Sequence, residues 1–131
     1  DDYAIPVSLF AATSLSSLEA ITVYLREEKG LKFSVMEKLL GRNQIALSTT
    51  YRNARKKYAQ QFSLPESKYN IPCHILKNRK LSVLENIVFY LKTEYHLHNH
   101  EMAKLLNKDP RTIWTVLSRV KTKNKNETNK K

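Results

Sequence analysis

The chain has 131 residues, with two glycines, four prolines and 23 Lys and Arg against 12 Asp and Glu, a formal net charge of +11. That balance points to a polyanionic partner, most often nucleic acid. No apolar run approaches the ~20 residues that span a bilayer. The single cysteine, Cys73, excludes an internal disulfide and fits a reducing compartment. The N-terminus carries no basic segment followed by an apolar one, the mark of a signal peptide. Its Asp1-Asp2 start without Met reads as a fragment or a processed chain.

Taken in chain order, Ile5-Pro6 opens the first element. The residue before proline is pushed toward extended backbone, and proline suits a first helical turn, so a short helical arm is predicted over 7–11. Ser16-x-x-Glu19 is a capping box and starts a helix over 17–29, with Leu18, Ile21 and Leu25 as its apolar stripe. Gly30 ends it with a left-handed cap. A short helix over 34–40 follows, its inward face Met36, Leu39 and Leu40. The turn-like run Gly41-Arg42-Asn43 leads to a third helix from Gln44 to about Lys57, whose inward stripe is Leu47, Thr50, Tyr51 and Ala54.

The same elements then recur. Shifted by 66 residues, 3–57 aligns with 69–123 without a gap and with 18 identities over 55 positions. Ile71-Pro72 repeats the opening and predicts an arm over Cys73–Lys77. Ser82-x-x-Glu85 repeats the capping box, for a helix over 83–95. His96 stands in the place of Gly30. A short helix over 100–106 presents Met102, Leu105 and Leu106 inward. Asn107-Lys108-Asp109 makes the turn, and Asp109-Pro110 is a strong start for a third helix to about Lys121, with Ile113, Val116, Leu117 and Val120 inward. The predicted fold is therefore all-α: a three-helix unit over 3–57, a linker over 58–68, a second unit over 69–123 and a basic disordered tail over 124–131. Residues 1–64 carry a net +3 and 65–131 a net +8.

A helix, a short helix, a tight turn and a basic third helix describe a trihelical helix-turn-helix unit. The run Leu97-x-x-x-Glu101-Met102-Ala103-Lys104-Leu105-Leu106-Asn107-x-Asp109-x-Arg111-Thr112-Ile113-Trp114-x-x-x-Ser118-Arg119 resembles region 4 of sigma-70-type factors and the related DNA-binding domains of response regulators. Residues 31–43 keep the framework in the first unit. That unit departs from the pattern at Glu37, where the family usually has Ala, and at Ile45-Ala46, in place of an Arg-Thr pair. The resemblance covers both repeats and implies that the third helix of each enters a DNA major groove. It does not extend to the polymerase-binding regions of a sigma factor.

A helix fits the major groove, and side chains near its N-terminus reach base edges. On this reading Arg111, Thr112, Trp114, Thr115 and Ser118 of the second unit, and Gln44, Ser48, Thr49 and Arg52 of the first, are base-contacting candidates. Arg111 and Arg52 suit guanine, and Thr49 and Thr115 suit a base or a thymine methyl. Arg42, Arg55, Lys56, Lys57, Lys108, Arg119, Lys121 and Lys123 suit phosphates. The expected partner is double-stranded DNA and the expected protein a transcriptional regulator or the DNA-binding part of one, cytoplasmic or nucleoid-associated; the oligomeric state stays open, an intramolecular pseudo-dimer of the two units being one arrangement. The alternative is an interaction or scaffold module that keeps the fold, with unit 1 on a protein partner.

Other chemistries have little support. His96, His98 and His100 alternate, and Cys73-His74 are adjacent, but none has the paired spacing of a zinc site. No nucleophile-base set or phosphate-cradling loop is present, and Glu19 and Glu85 are explained as capping residues. The expectation is a non-enzyme without metal or cofactor.

Overall fold

The computed structural model describes residues 2–64 and 66–129, the last four as backbone. Pro65 of the expected linker, and Lys130 and Lys131 of the expected tail, lie outside them.

The described chain is mostly helical. In order it forms strand β1 (Ala4–Pro6), helices α1 (Leu9–Ala12), α2 (Ser17–Glu27), α3 (Phe33–Leu40) and α4 (Gln44–Lys57), strand β2 (Asn70–Pro72), a 3-10 helix (Cys73–Lys77), and helices α5 (Val83–Tyr95), α6 (Asn99–Leu106) and α7 (Pro110–Asn129).

The all-α expectation holds at the coarse level, with one small two-stranded ribbon added to the helices. β1 and β2 pair antiparallel, with Ala4 opposite Pro72, Ile5 opposite Ile71 and Pro6 opposite Asn70. Each proline forces an extended residue before it. In a two-stranded ribbon both strands are edges, so the missing proline N–H leaves no ladder partner unmet. Val7 N–H donates to the Tyr69 carbonyl at 3.0 Å, and Cys73 N–H to the Tyr3 carbonyl at 2.9 Å.

Local signals set the helix starts. The Ser16 hydroxyl accepts from Glu19 N–H while the Glu19 carboxylate accepts from Ser16 N–H, and Ser82 and Glu85 do the same for α5. Asn43 Oδ1 accepts from Ile45 and Ala46 N–H at the start of α4, and Asp109 Oδ1 from Arg111 N–H at the start of α7. Left-handed backbone follows four helices, at Gly30 (φ 64°), Gly41 (φ 64°), His96 (φ 56°) and Asn107 (φ 55°).

α7 runs into the segment expected as a tail. It continues to Asn129, well past Lys121. Its last buried residue is Val120, and 121–125 are exposed. No glycine or proline interrupts this stretch, so the helix propagates from its packed first half.

α2 packs on α4 and α3 on α4. α5 and α6 both pack on α7. The N-terminal arms cross over: α1 packs on α6, while the 3-10 helix packs on α3. α2 also touches α5. Buried side chains from both halves consequently form one continuous core, centred on Ile5, Ile21, Leu25, Met36, Ile71, Ile87, Leu91 and Met102. Full burial of each such aliphatic side chain contributes about 1.5–3 kcal/mol.

Candidate nucleic-acid interface

α4 and α7 each bury one stripe and expose the other. Leu47 and Ala54 are buried in α4, with Thr50 and Tyr51 half-buried. Ile113, Val116 and Val120 are buried in α7. Two large apolar side chains stand in water on the outer faces, Ile45 at 74% exposed and Trp114 at 65%. Gln44, Ala46, Thr49 and Arg52 are exposed beside Ile45, and Ser48 is half-buried. Arg111 and Thr112 are exposed beside Trp114, with Thr115 and Ser118 half-buried. Trp114, Thr115, Ser118, Arg119 and Thr122 line a shallow trough along α7. The structure therefore gathers each set of base-contacting candidates at the N-terminal outer face of one helix.

The threonines are already oriented. Thr49 Oγ1 donates to the Ile45 carbonyl at 3.2 Å, and Thr115 Oγ1 to the Arg111 carbonyl at 2.9 Å. Each hydroxyl has its proton engaged by the helix and is left as an acceptor. Arg52 Nη2 donates to Thr49 Oγ1 at 3.4 Å, which leans its guanidinium toward the N-terminal half of α4.

The cationic candidates divide. Lys56, Lys108, Arg119 and Lys121 are exposed. Lys57 instead forms an ion pair with Glu19 at 2.9 Å, and Lys123 with Glu85 at 2.5 Å. These lysines tie the C-terminal part of α4 and of α7 to the capping carboxylate of α2 and of α5. Burial alone raises both carboxyls. Hydrogen bonds from the lysine and the serine backbone outweigh it and hold each below the ordinary range. Arg55 is also engaged: its guanidinium donates to the carbonyls of Gln60 at 3.0 Å and Ala59 at 2.7 Å, fastening the segment after α4.

Arg42 is half-buried in the turn before α4, and its Nε has no hydrogen-bond partner. Burial, then the nearby charge of Arg79, lowers its pKa. An arginine stays protonated regardless, so two like charges face each other there with a donor unmet. Arg79 Nη1 donates to the Gly41 carbonyl at 3.1 Å. Nothing local marked Arg79 in the sequence. It reaches the turn only because the arms cross over.

Glu37, which aligns with Ala103 under the 66-residue shift, has a local role. Its carboxylate accepts from Gln44 N–H at 2.7 Å, the first residue of α4. The corresponding pair in the second unit is Ala103 and Pro110. Proline has no N–H to satisfy, so no carboxylate is required.

The histidines serve local structure. His98 N–H donates to the Glu101 carboxylate at 3.0 Å at the start of α6, the His98 ring stacks on His100 at 5.9 Å, and His74 Nδ1 lies 2.6 Å from Asp2. Among the described residues no three His, Cys, Asp or Glu side chains gather as metal ligands. None of the described helices is long and apolar enough to cross a membrane.

No protein-family model, curated protein or solved structure matches this chain.

Proposed function

We propose that the chain is a tandem helix-turn-helix protein that binds double-stranded DNA in a sequence-dependent way, with α4 and α7 as the helices that enter the major groove. On this reading 3–57 and 69–123 are the two units, and the protein is a transcriptional regulator or the DNA-binding part of one, acting as a binding module rather than an enzyme. The observation that carries the proposal is the matched presentation of two capped helices. Each follows a short helix and a left-handed turn, buries one stripe and exposes polar, basic and apolar side chains around its N-terminal turns.

The chemistry suits a duplex. Arg111 has the donor fork for guanine O6 and N7. Ile45 and the Thr49 and Thr115 methyls suit thymine methyl groups. Trp114 offers a flat apolar surface at the groove edge. Arg42 and Arg79 concentrate positive charge at the turn before α4, where a phosphate would offset their mutual repulsion. Lys108, Arg119 and Lys121 supply further phosphate contacts.

The exposed Ile45-Ala46 pair favours one second reading, a protein partner docked on α4. A salt titration separates the two. Affinity of the intact chain for a random-sequence duplex should fall steeply as salt rises, because each neutralised phosphate releases counterion. Affinity that is flat across salt, or no duplex binding at low salt, rejects the DNA reading.

A further inference from the structure

The β1–β2 ladder fixes how the two halves are related. Its pairs are Ala4 with Pro72, Ile5 with Ile71 and Pro6 with Asn70. Under the 66-residue repeat Ala4 corresponds to Asn70, and Pro6 to Pro72. Exchanging the repeats therefore turns the first pair into the third and leaves the Ile5–Ile71 pair in place. The flanking bonds obey the same rule: Val7 donates to Tyr69 and Cys73 to Tyr3, and these are two copies of one bond. So do the crossed arms, α1 on α6 and the 3-10 helix on α3, and the contact of α2 with its own counterpart α5.

Reciprocal contacts of this kind define a two-fold relation. A translation or a screw would make one-way contacts, in which the first arm meets the second unit and the second arm meets nothing equivalent. We infer that α4 and α7 are related by a local two-fold axis through the Ile5–Ile71 pair, and that the chain recognises two half-sites in inverted orientation on one duplex. This rests on the DNA-binding reading above. A two-fold rotation preserves the component of any direction along its axis. Any part of the outward direction of α4 that lies along that axis is shared by α7, while the components of the two helices across the axis are reversed, which is the arrangement that two inverted half-sites on one side of the molecule require. The halves of the site differ in sequence, because Ile45, Ala46, Ser48 and Arg52 stand where the second unit has Arg111, Thr112, Trp114 and Ser118. The ligand class is thus an inverted, non-identical pair of half-sites, with centres about one helical turn or a multiple of it apart.

Making the two heads alike exposes the arrangement. The variant Ile45→Arg, Ala46→Thr, Ser48→Trp, Arg52→Ser copies the α7 surface onto α4 and leaves Gln44 with its bond to Glu37. Selection from a random duplex library with this variant should enrich an inverted repeat. Reversing one half of that site in a synthetic duplex should weaken binding at least about tenfold. The opposite graft, Arg111→Ile, Thr112→Ala, Trp114→Ser, Ser118→Arg, should also select an inverted repeat, of a different sequence, and covers the case in which the first variant fails to fold. A direct repeat or a lone half-site from either folded variant overturns the two-fold model of recognition. If the unaltered chain enriches nothing from the library, the DNA-binding reading falls and this inference falls with it.

Discussion

Ile5 and Ile71 lie opposite each other across the β1–β2 ladder, 66 residues apart in sequence and both fully buried. They align under the 66-residue shift of the sequence, and their pairing lies within the one continuous core. Ile71→Ala should cost about 2–5 kcal/mol, as for other large-to-small core changes. The loss should appear in one cooperative denaturant transition that involves both halves. Two separable transitions, only one of them shifted, would show that the halves fold apart.

His96 holds left-handed backbone at φ 56°, in the position where the first repeat has Gly30 at φ 64°. A side chain there costs about 1 kcal/mol that glycine avoids. His96→Gly should raise stability by about that amount in chemical denaturation, and His96→Val should lower it. No change in His96→Gly would mean that the His96 side chain makes a compensating contact, and no change in His96→Val would contradict the backbone-strain argument.

The Glu19–Lys57 and Glu85–Lys123 pairs predict an acid limb. Both carboxyls are held below their ordinary range when folded. Their contribution is therefore present above the unfolded value near 4.5 and is lost as pH falls through the lower folded value. Glu85→Gln keeps the capping-box hydrogen bond, since Gln serves there too, and removes only the charge. It should cost about 1 kcal/mol or less at neutral pH, because Lys123 is partly exposed, and should make the acid limb shallower. An unchanged acid limb would place the titration elsewhere.

The cations should separate by role. Arg111→Ala should weaken the preferred duplex by about 1–3 kcal/mol and relax one base position. Lys121→Ala should weaken all duplexes alike and reduce the salt slope by about 1. Lys57→Ala should lower stability with little effect on affinity, because its ammonium sits on Glu19. If Arg111→Ala weakens random and preferred duplexes equally, Arg111 meets phosphate alone.

Much of the architecture was legible because it is written in local chemistry. The capping boxes Ser16/Glu19 and Ser82/Glu85, the Asp109-Pro110 start and the apolar stripes marked helices that α2, α4, α5 and α7 begin as expected. The strands were half visible: Ile-Pro announced extended backbone at 5 and 71, but pairing between segments 66 residues apart leaves no periodic mark. The crossed arms were invisible for the same reason, and with them Arg79. Among the cations, residue type alone did not separate Lys56, exposed, from Lys57, drawn onto a carboxylate 38 residues away. The end of α7 is not legible in composition: an Asn/Lys-rich stretch resembles disorder, while helix continuation there depends on the packed turns before it.

The most direct test is a map of backbone amide shifts as a duplex selected by the intact chain is titrated in. The DNA-binding account expects the largest perturbations at 44–52 of α4 and at 111–118 of α7, together and at the same duplex concentration, with the β1–β2 ladder unmoved. Perturbation of α7 alone, or of surfaces away from both helices, would contradict it.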